Sequence, residues 1–223
     1  MNWANTPQVQ KWQYKVGFSV RDFNRISDRN LTDTEIENFI IGKGFVYEKV
    51  IVEEVINKAI PECMKAVYKN PSSMREDAPN AFSCSSLISY LYTQAGVWMP
   101  SLSIDKYVFG TPITKEGLKF GDLIFSNTGV GKIRIETVEY LPGTKIPEGV
   151  DHVAFYMGND EILHATKKYG KVIRENINNL EDTSKIVGFR RVADVKEERF
   201  VVILPEDIED LRKIENLIKE IVQ

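Results

Sequence analysis

The sequence predicts an α+β fold in which helices pack on an antiparallel β-sheet. Its 223 residues are 43% hydrophobic, which is enough to bury one sizeable core. Helical periodicity dominates the chain before Gly121, whereas short alternating segments follow it. Helices that precede strands, without regular alternation of the two, are typical of α+β proteins.

The first 45 residues are predicted to form an N-terminal extension. Residues 11–20 alternate polar and apolar side chains, which favours a half-buried strand. Thr32 and Glu35 form a capping-box pattern, which predicts the start of a short helix. Beyond the extension, the apolar spacing over residues 47–68 predicts one long helix that Pro61 should kink.

Residues 46–195 are predicted to be the main domain. A compact helix is expected to begin at Cys84 and to end near Gly96. Residues 196–223 then add a strand and a helix that begins at Pro205. The predicted strands are Asp122–Phe125, Ile133–Tyr140, His152–Met157, Glu161–Ala165, Gly188–Val192 and Phe200–Leu204.

The charge and hydropathy patterns exclude several classes of function. Lys and Arg total 29 against 32 Asp and Glu, so the net charge is -3 and no nucleic-acid partner is expected. No apolar run is long enough to cross a bilayer, so no membrane span is expected. The N-terminus lacks the pattern of a secretory signal, which predicts a cytoplasmic protein, with non-classical export or release as the alternative.

Two cysteines and two histidines carry most of the chemical information. Cys63 and Cys84 lie 21 residues apart and His152 and His164 lie 12 apart, spacings unlike those of structural zinc sites. We therefore expect no metal and no cofactor. Cys63 is interpreted as a packed thiol.

Cys84 is the better candidate for a nucleophile, because a helix N-terminus favours the thiolate. His152 opens a predicted strand, and a hairpin turn near Gly158 would bring the strand that carries His164 alongside it. A cysteine nucleophile, a histidine base and a polar residue that orients the base form a catalytic triad.

The segments around these residues resemble the NlpC/P60 family of papain-like cysteine peptidases. The family's Asp-Cys-Ser-Gly-Leu-Val motif corresponds to residues 83–88, and its Gly-Ile-x-Leu-Pro-Arg-x-Ser motif corresponds to residues 96–103. Its Leu-x-Pro-Gly-Asp-Leu-Val-Phe motif corresponds to residues 118–125, and its His-Val-Gly-Ile-Tyr-x-Gly-Asn motif to residues 152–159. Residues 162–165 and 188–192 match the two strands that follow in the family.

The resemblance implies site residues as well as a fold. Cys84 would be the nucleophile, His152 the general base and acid, and His164 the orienting residue. Tyr68 is a candidate for the second oxyanion donor, beside the backbone N–H of Cys84. Ser83, Ser85 and Ser103 occupy positions that bind substrate in the family, and Ser83 replaces the aspartate that pairs with a substrate amine there.

The expected activity is hydrolysis of an amide bond in a peptidoglycan-derived or related peptide, through a thioester on Cys84. An acyltransferase on the same fold and a non-catalytic binding module are the alternatives. Residues 126–150 are longer than the family segment and contain an alternating stretch, which predicts an inserted β-element at the rim of the site. The sequence leaves the scissile bond and the oligomeric state open.

Overall fold

The computed structural model describes residues 15–74, 76–203 and 218–221. The chain divides into two compact units. The first unit consists of Met1–Ala59, Leu91–Trp98 and Lys196–Gln223, and the second unit consists of Ile60–Tyr90 and Met99–Val195.

The elements confirm the predicted α+β class. The helices are α1 (Val20–Ser27), α2 (Asp33–Gly42), α3 (Val52–Cys63), α4 (Cys84–Gln94), α5 (Ser103–Phe109) and α6 (Ile177–Thr183). The strands are β1 (Lys15–Phe18), β2 (Val46–Ile51), β3 (Val67–Tyr68), β4 (Ala81–Phe82), β5 (Thr111–Ile113), β6 (Leu123–Asn127), β7 (Arg134–Glu136), β8 (Lys145–Val150), β9 (His152–Gly158), β10 (Glu161–Thr166), β11 (Lys171–Asn176), β12 (Lys185–Arg191) and β13 (Glu198–Ile203).

The first unit contains a three-stranded antiparallel sheet in the order β1-β13-β2. The sheet, α1, α2 and the helical residues 218–221 bury a shared apolar core, whose members include Phe18, Phe23, Ile36, Ile40, Phe200, Ile218 and Ile221. The predicted capping box is confirmed: the Thr32 hydroxyl accepts from the Glu35 backbone N–H, and the Glu35 carboxylate accepts from the Thr32 backbone N–H.

Two sequence predictions in this unit were wrong in part. Of the helix predicted over residues 47–68, residues 47–51 belong to strand β2, because they pair with β13 and include the β-branched Val50 and Ile51. The helix ends at Cys63, and Val67–Tyr68 form strand β3. Of the strand predicted over residues 11–20, residues 15–18 form β1, residues 11–14 lie outside the described residues, and Val20 begins α1 instead. Most of the helix predicted to begin at Pro205 lies outside the described residues, although residues 218–221 are helical.

Two glycines of the first unit approach each other too closely for side chains. The Gly17 N–H donates to the Gly96 carbonyl at 2.8 Å, and Gly96 has a φ of +67°. A Cβ atom on Gly96 would lie 2.6 Å from the Cα and N atoms of Gly17. Such a contact with backbone atoms cannot relax by a side-chain rotation, so this position requires glycine.

We expect Gly96→Ala to lower the free energy of unfolding by about 2 kcal/mol or more, because it combines a backbone clash with an unfavourable φ. Thermal unfolding would show this as a melting temperature about 5 °C lower. Gly42→Ala is the matched control, since a Cβ there meets nothing within 4 Å. Equal melting temperatures for the two variants would contradict the prediction.

The second unit contains an eight-stranded sheet in the order β4-β3-β11-β10-β9-β6-β12-β5. Adjacent strands of this sheet pair antiparallel, except β3 and β4, which pair parallel. Helix α6 places Ile177 and Leu180 in a buried cluster with Ile124, Ala154 and Ile162 of the sheet. Apolar residues on one sheet face are therefore covered by a helix, as expected of this fold class.

The predicted inserted β-element is present as a two-stranded antiparallel sheet of β7 and β8. The strand predicted over Ile133–Tyr140 is shorter than expected and covers only Arg134–Glu136. Strands β8 and β11 and helices α5 and α6 were not predicted, because their alternation or helical period is short and interrupted by polar residues.

Candidate active site

The elements of the second unit bring Cys84, His152 and His164 together. Cys84 is the first residue of α4, and His152 is the first residue of β9. His164 lies on β10, which pairs antiparallel with β9 after a tight turn at Asn159 and Asp160. Both turn residues have positive φ, a conformation that Asn and Asp tolerate better than most residues.

The two imidazole rings form a direct contact. His152 Nε2 lies 2.8 Å from His164 Nδ1, and the ring planes are nearly perpendicular, at 77°. Both side chains are buried. Because this contact uses Nε2 of His152, its Nδ1 is the ring nitrogen that can accept a proton from a thiol.

The Cys84 thiol lies against the backbone on both sides of His152. Its Sγ atom is 3.8 Å from the carbonyl oxygen of Asp151. Burial raises the pKa of the thiol, and a hydrogen bond from the backbone N–H of Val153 partly offsets that rise. Ser103, at the start of α5, places its Oγ atom 3.9 Å from Sγ. The nucleophile candidate thus contacts the strand segment that carries the candidate base.

Burial controls the charge state of these groups. It raises the pKa of the Cys84 thiol, against the opposing effects of the Val153 N–H and the Ser103 hydroxyl. It lowers the pKa of His152 to about 4, and it lowers the pKa of His164 as well. The resting site at neutral pH therefore holds a neutral thiol and neutral imidazoles, in contrast to the thiolate that the helix N-terminus alone favours.

A carboxylate extends the contact beyond the second histidine. Glu175 Oε1 lies 2.9 Å from His164 Nε2, and Glu175 Oε2 accepts a hydrogen bond from Asn179 Nδ2 at 3.2 Å. Glu175 was not among the residues predicted from the sequence. A signal was available, because Tyr169 and Gly170 follow the His164 strand as a turn pair and imply a further antiparallel strand.

Tyr68 is brought to the site by the parallel pairing of β3 with β4. Tyr68 is in register with Phe82, two residues before the nucleophile candidate. Burial and the nearby Cys84 raise the pKa of the Tyr68 phenol, while a hydrogen bond with Asn70 opposes that rise. The phenol therefore lies near the thiol, where an O–H donor could approach a reacting carbonyl.

Comparison with known proteins assigns the chain to a family. A model of the NlpC/P60 family matches residues 72–191, which is more than half of the sequence. The chain belongs to the NlpC/P60 family. The match covers Cys84, His152 and His164 and confirms the resemblance seen in the sequence motifs.

The chain is similar to several named hydrolases of the NlpC/P60 family. It is 35% identical over 91 residues to peptidoglycan endopeptidase RipB of Mycobacterium tuberculosis, covering 41% of this chain and 30% of RipB. It is 29% identical over 118 residues to gamma-DL-glutamyl hydrolase of Bacillus subtilis, covering 53% of this chain and 25% of the hydrolase. The probable endopeptidase p60 of Listeria seeligeri is 28% identical over 116 residues, covering 52% of this chain and 18% of p60. The matched part thus spans less than a third of each relative.

Solved structures of NlpC/P60 proteins are similar to the chain at lower sequence identity. The structure of RipB from Mycobacterium tuberculosis has a TM-score of 0.45 at 22% identity, covering 86% of this chain and 88% of that one. NlpC2 from Trichomonas vaginalis has a TM-score of 0.47 at 21% identity, covering 63% of this chain and 46% of that one.

Ser83 and Ser85, on either side of Cys84, are hydrogen-bonded within the protein. Ser83 Oγ donates to Ser86 Oγ at 3.2 Å, and its backbone N–H donates to Ser72 Oγ at 2.9 Å. Ser85 Oγ donates to the carbonyl of Ser101. The Ser83 and Ser85 hydroxyls, predicted to bind substrate, are thus placed beside the nucleophile but engaged with protein partners.

A buried lysine holds the second of these serines. Lys106 on α5 is fully buried, and its Nζ donates to Ser85 Oγ at 2.8 Å and to the carbonyls of Pro100 and Ser101 at 2.7 and 2.6 Å. These three acceptors match the three N–H groups of an ammonium. Burial lowers the Lys106 pKa to about 7, while Cys84, Glu139 and Asp105 raise it.

The inserted β-element is anchored to this region by carboxylates. Asp105 Oδ1 accepts from three successive backbone N–H groups, those of residues 138–140, at 3.1–3.2 Å. Asp151, next to His152, accepts from the backbone N–H groups of Thr128 and Gly131. The start and the middle of the insertion are therefore tied to residues next to the site.

The described residues contain no group of three or more His, Cys, Asp or Glu side chains arranged to hold a metal ion. Among the same residues, no helix combines the length and the apolar character needed to cross a membrane.

Proposed function

We propose that this NlpC/P60 protein is a cysteine hydrolase that cleaves an amide bond in a peptidoglycan-derived or related peptide. The observation that carries the proposal is the continuous line of contacts from the Cys84 thiol, through the backbone on both sides of His152, to the His152–His164 pair. The relatives named as peptidoglycan endopeptidase and glutamyl hydrolase support the class of substrate.

The geometry supports acyl transfer through a thioester. His152 Nδ1 takes the thiol proton as Sγ attacks the carbonyl, and the same proton then passes to the leaving amine. Water, deprotonated by the neutral His152, resolves the thioester and regenerates the thiol. His164 Nδ1 keeps the His152 ring oriented throughout, through the 2.8 Å contact.

Two hydrogen-bond donors are available for the oxyanion. The backbone N–H of Cys84 lies in the first turn of α4, where N–H groups have no acceptor within the helix. The Tyr68 phenol lies near the thiol and would supply the second donor.

A non-catalytic binding module is the second candidate function. It is favoured by the raised pKa of the Cys84 thiol and by the absence of a carboxylate at Ser83, both of which weaken the usual means of activation and substrate capture. Such a module would bind the same peptides without turnover.

The test is to incubate the protein with a muropeptide library and a panel of peptide amides, and to read the products by mass. Hydrolysis predicts two fragments whose masses sum to the substrate plus one water. An acyltransferase would instead give a product that contains an added amine. Protein alkylated with iodoacetamide serves as the blank, and peptide binding without any product in either sample would favour the binding module.

A further inference from the structure

We propose that Glu175 is a positioning residue that sets the tautomers of both active-site histidines. The inference rests on the hydrolase proposed above, and it concerns a residue outside the Cys84, His152 and His164 set.

The register of the sheet places Glu175 on the same face as the rings. His164 on β10 is paired with Ile173 on β11, and Glu175 follows two residues later on the same strand. Residues two apart on a strand share a face, and diagonal neighbours lie within reach of long side chains. The side chains of His164 and Glu175 are only 4% and 13% exposed.

The carboxylate is held on two sides. Its Oε1 atom lies 2.9 Å from His164 Nε2, and its Oε2 atom accepts from Asn179 Nδ2 on α6. The approach to Nε2 lies outside the angular range of a hydrogen bond, so the interaction is chiefly electrostatic in this arrangement. An ionised carboxylate only accepts, and it therefore favours the tautomer of His164 that carries its proton on Nε2.

The tautomer of His164 determines the tautomer of His152. A neutral imidazole has one N–H, so a proton on His164 Nε2 leaves Nδ1 as an acceptor. The 2.8 Å contact then requires His152 to donate from its Nε2 atom. His152 Nδ1 is left without a proton, which is the state needed to accept one from the thiol.

The same carboxylate compensates charge when His152 becomes protonated. Asp151 and Glu175 are the anions that favour the charged form of His152, while Lys168 opposes the charged form of His164. Asp151 already accepts hydrogen bonds from Thr128 and Gly131. Glu175 is thus the anion in direct contact with the imidazole pair.

The test measures tautomers directly by ¹⁵N NMR of the histidine side chains. The chain has two histidines, so its ring-nitrogen spectrum is simple to assign. We expect both rings of the native protein to carry the proton on Nε2 at pH 7.5. Glu175→Gln should shift His164 toward the Nδ1–H tautomer and lower kcat about tenfold with KM unchanged, and Glu175→Asp should restore part of the loss.

Glu161→Gln is the matched control, because Glu161 lies on the same strand pair and contacts Arg174 instead of a ring. An Nδ1–H tautomer of His164 in the native protein would overturn the inference, as would identical ring spectra for the Glu175→Gln and Glu161→Gln variants. The native spectrum decides the matter even if a variant fails to fold. A native protein with the expected tautomers but no hydrolysis on any substrate would refute the hydrolase proposal alone.

Discussion

Cys84→Ala is expected to reduce turnover by at least about four orders of magnitude, because no other described residue can supply the thioester nucleophile. Cys63 is the other cysteine; it is fully buried on α3, and burial raises the pKa of its thiol to about 12. Cys63 therefore cannot replace Cys84 as the nucleophile. The measurement is kcat/KM on the best substrate from the product screen.

Cys63→Ala is the control that separates loss of a thiol from loss of the nucleophile. It should keep most of the activity and lose some stability, since it leaves a small buried cavity. Cys84→Ala should keep its melting temperature within about 3 °C of the native value, because the contacts of the thiol with Ser103 and Asp151 are long, at 3.9 and 3.8 Å. Residual activity above one per cent in Cys84→Ala would reject the assigned nucleophile.

Acid should destabilise the protein between about pH 6.5 and pH 4 through the buried histidine pair. His152 has an ordinary pKa of 6.5, which burial lowers to about 4 in the folded protein. Between these values the unfolded chain binds a proton that the folded chain does not, so the free energy of unfolding falls as the pH falls. The contribution of His152 is about 3 kcal/mol, fully present above pH 6.5 and lost once the pH reaches about 4.

Urea unfolding at a series of pH values measures this loss. His152→Asn removes the titrating group, so its free energy of unfolding should change less between pH 6.5 and pH 4 than that of the native protein. Lys106, with a pKa lowered by burial to about 7, is largely protonated below pH 6.5. Ordinary Lys and Arg residues stay charged over this range, and most carboxylates begin to titrate only near its lower end. Parallel curves for the native protein and the variant would show that the ring is not held neutral by burial.

Much of the site could be predicted because its chemistry is concentrated in rare residues and short motifs. With two cysteines and two histidines in the chain, the positions of Cys84 at a helix start and of the histidines on either side of a hairpin turn allowed few arrangements. The antiparallel pairing of β9 with β10 follows from alternation and turn residues that are local in sequence. Local patterns were therefore enough to predict Cys84, His152 and His164 as site residues.

The contacts made across the sheet could not be predicted in the same way. Glu175 reaches His164 only because β11 pairs with β10 in one register, and a shift by one residue would turn the carboxylate to the opposite face. Tyr68 comes close to Cys84 through a two-residue parallel bridge, which has no local sequence pattern. The wrong helix over residues 47–51 has the same cause, since its true partner β13 lies about 150 residues away.

The sequence by itself determined the fold class, the family and the three residues proposed for catalysis, since periodicity and motifs are properties of neighbouring residues. The tertiary structure decided the charge states and the partners. Burial, which no local pattern measures, makes the thiol and both imidazoles neutral at rest. Long-range register brought Glu175 to the rings and engaged Ser83 and Ser85 with protein partners beside the nucleophile.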